Sequence, residues 1–206
     1  SDAVIVADID RNMSLLNSSV KKMFGFEREE LLGHKTSMLY ADIEDFNQAG
    51  RQTYNATAKT EATPYELEYR RKDGTVFWGE TLGTKMVSDD GTVFGFIGII
   101  RNITERKKTE KIIKKNERRL NEAQRLAKVG GWELDLLTGE LLWSDEIFNM
   151  FEIDKDKFDA SYDAFLHAIH PDDRDEVNDA YSNSLETRKP YEITHRLKME
   201  DGTIKY

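Results

Sequence analysis

One stretch of this chain is written twice. Tyr65-Glu66-Leu67-Glu68-Tyr69-Arg70-Arg71-Lys72-Asp73-Gly74-Thr75-Val76 returns as Tyr191-Glu192-Ile193-Thr194-His195-Arg196-Leu197-Lys198-Met199-Glu200-Asp201-Gly202-Thr203-Ile204. The tyrosines lie 126 residues apart and the Asp-Gly pairs 128 apart. That period is too long for a solenoid unit and marks two copies of a whole domain. Only a few residues follow the second motif, against about 30 that belong to the first copy beyond its own. The expected organisation is therefore a first domain at 1–104, a helical linker at 105–129, and a second, incomplete domain at 130–206.

Two domains of about 100 residues can each enclose a core. An apolar fraction of 38% with 10% aromatics supplies the material and argues against disorder. The sequence has no cysteine, which excludes disulfides, thiolate metal sites, cysteine nucleophiles and thiol adducts to a cofactor. No apolar run approaches bilayer length and no secretory pattern opens the sequence, so a cytoplasmic chain, or the cytoplasmic part of a membrane-attached sensor, is expected. The net charge is -9, yet residues 105–129 hold ten Lys/Arg against four Glu. Acidic domains on a basic connector predict no nucleic-acid surface.

Periodicity predicts the elements. Ala3–Ile9 and Met13–Leu16 read as a hairpin turning at Asp10-Arg11-Asn12, and Asn17 as the cap of a helix through Phe24 that Gly25 stops. Residues 29–33 form a short helix. Ile43, Phe46, Ala49 or Gly50, and Tyr54 give a longer one through about Ala56. Strands at Pro64–Arg71, Val76–Val87 and Val93–Ile103 meander through Asp73-Gly74 and Asp90-Gly91 turns, whose residues both tolerate positive φ. The second copy repeats the order: strands at Gly131–Leu137 and Leu141–Ser144, helices at Asp145–Phe151 and from Asp172 to about Glu186, and a strand at Tyr191–Met199. The fold class is α+β, each domain a five-stranded antiparallel sheet with helices on one face.

Gly98-Ile99-Ile100-Arg101-Asn102-Ile103-Thr104-Glu105-Arg106-Lys107 resembles the terminal strand and exit motif of the PAS family of sensor domains, with Asn102 in place of aspartate. Ala123–Ala127 with Gly131–Asp135, Leu142–Asp145 and His170-Pro171-Asp172-Asp173-Arg174 are similar to segments of a common PAS subtype. The resemblance implies tandem sensor domains of a larger signalling protein, with a histidine kinase or diguanylate cyclase as output domain. It implies no catalysis here, and neither a phosphate loop nor a catalytic signature is present. Two other readings stand beside it: a flavin-binding redox sensor, and a ligand-free dimerisation scaffold.

Alternation turns Tyr65, Leu67 and Tyr69 inward, and places Phe94, Phe96, Gly98 and Ile100 on one face of the last strand. Phe46, Tyr69, Thr81, Phe96 and Ile100 are the candidate ligand-binding residues. The resemblance places Tyr69, Gly79 and Ile100 where flavin-binding members carry amides, and none is an amide, which disfavours flavin. No histidine lies on the predicted helix from Ile43, which disfavours haem. No basic residue stands on the inner strand face to hold a small acid. A filled core is expected, with a small apolar ligand as the alternative. His167, His170, Asp172 and Asp173 read as a helix start rather than a metal site.

The connector has neither glycine nor proline from Thr104 to Val129. Ile113, Leu120 and Ala127 recur every seven residues, with Asn116 and Ala123 between, as a thin coiled-coil seam. Asn102, Thr104, Glu105, Arg106, Ile113 and Leu120 are the candidate transmission and homodimer residues. A single helix packed on its own domain is the competing reading.

Overall fold

A computed structural model describes residues 2–58, 63–155, 161–199 and 201–205. The chain divides into two compact units, Ser1–Ile112 and Ile113–Tyr206. Glu200 of the repeated motif and Tyr206 lie outside the described residues.

The first unit is a five-stranded antiparallel sheet in the order β2-β1-β5-β4-β3. Its strands are β1 (Ala3–Ala7), β2 (Met13–Leu16), β3 (Tyr65–Arg70), β4 (Val76–Val87) and β5 (Val93–Asn102). Between β2 and β3, at opposite edges, the chain forms α1 (Ser18–Phe24), α2 (Arg28–Leu31), a 3-10 turn at Thr36–Leu39 and α3 (Ile43–Gln52). Phe24, Leu31, Leu39 and Ala49 from this crossover share one core with Ile5, Leu67, Tyr69, Phe77 and Ile100 of the sheet. Burial follows alternation along β3, with Leu67 and Tyr69 buried while Glu66, Glu68 and Arg70 are exposed.

Three local expectations change. Asn17 stands at the start of α1, but its side chain makes no helix cap. It accepts from the Val4 amide at 3.0 Å and donates to the Asp2 carbonyl at 3.0 Å, tying down β1 instead. Phe94 is exposed, not inward: Val87 pairs with Val93 and Met86 with Gly95, so Phe94 is the extra residue of a bulge. In the Asp-Gly turns only the glycine has positive φ, 85° at Gly74 and 86° at Gly91. The aspartate instead accepts the amide two residues on, Asp73 from Thr75 and Asp90 from Thr92, each at 2.9 Å. Asp201 does the same for Thr203 at 2.8 Å, so the Asp-Gly-Thr turn occurs three times.

In the second unit, β6 (Trp132–Leu134) pairs with β7 (Leu141–Trp143), followed by α5 (Asp145–Phe151). A helix the sequence reading did not mark, α6 (Tyr162–Ala168), precedes a 3-10 turn at Pro171–Asp173 and α7 (Arg174–Thr187). β8 (Leu197–Lys198) pairs with β9 (Ile204–Lys205). Lys198↔Ile204 and Leu197↔Lys205 repeat, 128 residues on, the register of Arg70↔Val76 and Tyr69↔Phe77. The predicted strand from Tyr191 is a ladder only at Leu197–Lys198. Asp173 holds the segment at Arg196, which donates to it through its amide at 2.8 Å and its guanidinium at 2.5 Å.

The helix α4 (Thr104–Ala127) is continuous over 24 residues and ends where Lys128 adopts φ +52°. None of its residues is buried.

Candidate functional site

The inner face of the first sheet encloses a small cavity lined by Ile5, Tyr69, Phe96, Gly98 and Ile100 from the strands and Arg11, Leu39, Tyr40 and Tyr54 from the crossover side. Its volume is about 30 Å³, enough to admit water or a few heavy atoms. Aromatic rings fill the rest. Tyr69 is 1% exposed, meets Phe24 edge-on at 5.7 Å and stacks on Phe77 at 5.8 Å. Its hydroxyl lies 2.5 Å from Thr81 Oγ1. Tyr69 fits only because residue 79 is glycine: a Cβ there would stand 2.5 Å from Tyr69 Cδ2. Tyr54 sits in a second notch, over Gly83 and Gly98, and its hydroxyl accepts from Tyr65 at 3.2 Å. Burial pushes the phenols of Tyr40, Tyr54, Tyr65 and Tyr69 up, so all four remain neutral.

Arg11 is the cavity-lining residue that strand alternation missed. It sits in the β1–β2 turn at φ +65° and is only 8% exposed. The turn's own acid is otherwise engaged: Asp8 accepts from the Asp10 and Asn12 amides at 2.9 and 2.8 Å and from the Asn12 side chain. Freed from Asp8, the Arg11 guanidinium turns inward. It donates to the Phe46 carbonyl at 2.6 Å and to the Tyr40 hydroxyl at 3.3 Å, and lies 3.6 Å from the Phe46 ring centroid. Gly50 on α3 makes room for it, since a Cβ there would be 2.7 Å from Nη1. That glycine, facing a turn arginine, was the available sequence signal.

The five candidate ligand residues separate. Tyr69, Phe96 and Ile100 line the cavity. Phe46 stacks on Arg11, and Thr81 is buried behind Tyr69 as its hydrogen-bond partner. An isoalloxazine does not fit these residues: the Tyr69 ring lies against Gly79, the space is about 30 Å³, and Tyr69, Gly79 and Ile100 offer no amide. Among the described residues, no three His, Cys, Asp or Glu are placed to hold a metal, and no helix is long and apolar enough to cross a membrane. His170 begins the 3-10 turn, accepting the Asp172 amide at 3.3 Å, while Arg196 holds the Asp173 carboxyl well below the usual carboxylate range.

The exit from the sheet is tightly built. Asn102 Oδ1 accepts the Thr104 amide at 3.0 Å, Thr104 Oγ1 accepts the Trp78 amide at 3.1 Å, and the buried Ile103 donates its amide to the Trp78 carbonyl at 2.9 Å. One turn on, Arg106 binds Glu66 of β3 at 2.6 Å and Glu80 of β4 at 3.2 Å. Lys107 also pairs with Glu66 and lies 5.3 Å from the Trp78 ring centroid. Lys107 first, then Arg106, holds the Glu66 carboxyl below its ordinary range. Glu105 faces solvent and pairs with Lys108. Ile113 and Leu120 are 51% and 59% exposed on a helix otherwise rich in charge.

Residues 1–105 match the family model described as PAS domain, and residues 140–206 match one described as PAS fold. The probable diguanylate cyclase DgcE of Escherichia coli K12 is 26% identical over 188 residues, 90% of this chain and 17% of that protein. The blue-light-activated histidine kinase of Brucella anthropi is 21% identical over 96% of this chain and 42% of its own length. The sensor protein FixL of Bradyrhizobium diazoefficiens is 39% identical over 69 residues, 34% of this chain and 14% of its own. The chain thus spans less than half the length of each of these relatives. The solved PAS domain from Colwellia psychrerythraea is 23% identical, with TM-score 0.47 over 50% of this chain and 87% of that one. The five-stranded sheet, its one-sided helical crossover, the helical exit and the family match over half the sequence identify a sensory rather than a catalytic region: the chain belongs to the PAS domain family.

Proposed function

We propose that this chain is the tandem sensory and transmission region of a larger signalling protein, a cytoplasmic histidine kinase or diguanylate cyclase, whose output domain follows the second PAS unit. In that organisation the first domain is 1–104, the linker 105–129, and the second domain 130–206 is part of a longer one. The signal is a small displacement of the sheet, carried along α4 in a parallel homodimer. The observation that supports this reading is the latch between the sheet and α4. Arg106 and Lys107, in the first turn of the helix, are bound to carboxylates on two different strands. Glu66 precedes Leu67, and Glu80 precedes Thr81, whose side chains face the core. A change at the inner face that shifts β3 against β4 therefore pulls on the helix start.

The seam supports the dimer. Ile113 and Leu120 are seven residues apart, exposed, and flanked by charge, which fits a helix that covers them with its counterpart. Sedimentation equilibrium of the intact chain tests the pairing: a dimer is expected, and Ile113→Asp/Leu120→Asp should yield monomers. An unchanged mass rejects the seam. Hydrogen exchange tests the latch. Glu66→Gln/Glu80→Gln should speed amide exchange at the start of α4 while leaving β1 and β5 protected; unchanged exchange there overturns the latch.

A further inference from the structure

We infer that the first unit is a receptor for a small monocarboxylate, which it holds through Arg11. This deepens the sensory reading above by naming the chemistry that the first unit senses. The argument rests on a charge without a counterion. Arg11 is buried at the wall of the cavity, and among the described residues its side chain has two hydrogen-bond acceptors, both neutral, and no carboxylate. A guanidinium carries five N–H donors in a fork. The Phe46 carbonyl and Tyr40 hydroxyl take two of them. The faces of Phe46, Tyr54 and Tyr40, at 3.6, 5.1 and 5.8 Å, offset part of the desolvation. A buried charge left at that stage is expensive, and a bound anion relieves it.

The surroundings select the anion. One cation faces the cavity, which matches a single negative charge. The planar fork matches a two-oxygen head, with the Tyr40 hydroxyl beside it. Apart from Thr36 and the tyrosines the wall is apolar, with Ile5, Leu39, Phe96 and Ile100 suited to a short hydrocarbon tail and no second cation among the described residues to match a second charge. The space of about 30 Å³ holds a head group or a water but no long chain. Tyr54 lies beyond the end of α3, over two glycines, and is the wall residue whose displacement admits two or three more carbons. Binding there would press on Gly83 of β4 and Gly98 of β5, the strands that lead into the latch.

Isothermal titration of the intact chain with sodium acetate and sodium propionate tests this, with sodium chloride at equal ionic strength as control. One saturable site per chain is expected for both acids, with millimolar affinity for so few atoms. Arg11→Met should weaken it by about 10- to 100-fold, and Arg11→Lys by less. Equal affinity in Arg11→Met, equal binding of chloride, or no saturation by about 100 mM acid overturns the proposal. Should the variants fail to fold, the wild type still decides: the Arg11 Nε–H resonance must shift on acetate addition while that of Arg101 stays, and an unmoved Arg11 resonance refutes it. The titration does not read the helix latch, so this inference and the transmission reading fail separately.

Discussion

Gly79→Ala adds one methyl group at the point where β4 passes under Tyr69. Gly79 has no positive φ, so alanine meets no backbone strain, and in an open strand the change would stabilise by about 0.5–1 kcal/mol. Here the new Cβ falls 2.5 and 2.6 Å from Tyr69 Cδ2 and Cε2 and 3.1 Å from Ile100 Cγ2. Carbon atoms pack at about 3.5–4.0 Å, so the ring must recede by about 1 Å. It has nowhere to go: Phe24, Tyr40 and Phe77 hold its edges and face, and Thr81 holds its hydroxyl. Overpacking of this kind costs about 1–3 kcal/mol, and the strand gain offsets part of it, leaving about 1–2 kcal/mol of destabilisation. Native-state hydrogen exchange of β4 and β5 amides reads the first unit alone, and that loss appears as about 5- to 30-fold faster exchange. In a Tyr69→Leu background the same methyl group enters vacated space and should cost little, a coupling of about 1 kcal/mol or more. Unchanged exchange in Gly79→Ala, or an equal cost in both backgrounds, would refute the account of why Tyr69 fits.

Tyr69→Phe strands the Thr81 hydroxyl in the core and should destabilise the first unit by about 1–3 kcal/mol, while Tyr69→Phe/Thr81→Val recovers much of it; chemical denaturation of the pair of variants checks this. Gly74→Ala and Gly202→Ala force a side chain to φ +85° and should each destabilise their own hairpin by about 1 kcal/mol, measured as faster amide exchange at Thr75 and Thr203 respectively. Asp173 bears on acid stability: the Arg196 guanidinium and amide hold its carboxyl low, so its contribution is complete above the unfolded value of about 3.9 and is lost as pH falls through the depressed folded value. Asp173→Asn should therefore lower second-unit stability at neutral pH and flatten its decline below pH about 4, followed by circular dichroism across an acid titration.

What could be read from the sequence was whatever depended on near neighbours. Alternation along Tyr65–Tyr69, the glycines that stop α1 and close the hairpins, and the unbroken run into α4 all rest on residues within a few positions of one another. Misreadings arose where a distant partner outbid the local preference. Asn17 was free to cap α1 but serves β1, thirteen residues away. Arg11 lies in a polar turn that would ordinarily face water, and is drawn inward by Phe46, Tyr40 and the gap at Gly50. Phe94 obeyed the period of two until a one-residue bulge against Met86 and Val87 reversed its face. Tyr191–Arg196 shares the Tyr-Glu start and closing arginine of Tyr65–Arg70, yet a ladder needs an opposing strand, and Asp173 supplies the segment's anchor instead. Of the cavity, the strand wall of Tyr69, Phe96 and Ile100 was visible, because it follows from alternation. The facing wall, Arg11 from the β1–β2 turn with Tyr40 and Tyr54 from the crossover, was not, because it depends on how the turn and the crossover lie over the sheet.

That division also explains why a sheet of this kind suits signalling. Successive residues of a strand point to opposite faces and are joined by a nearly rigid peptide about 3.8 Å long. Tyr69 of β3 lines the cavity on the inner face while Glu66, three residues back, meets Arg106 and Lys107 on the outer one, and the adjacent Thr81 and Glu80 of β4 divide between the faces in the same way. In the proposed transmission, filling the cavity bears on the inward side chains, while Arg106 and Lys107 hold the outward carboxylates. No residue needs to travel between the faces, because each strand is already on both. The duplicated motif keeps this parity: Tyr191-Glu192 repeats Tyr65-Glu66 at an offset of 126 residues and the hairpin pairs Leu197↔Lys205 and Lys198↔Ile204 repeat at 128, both even.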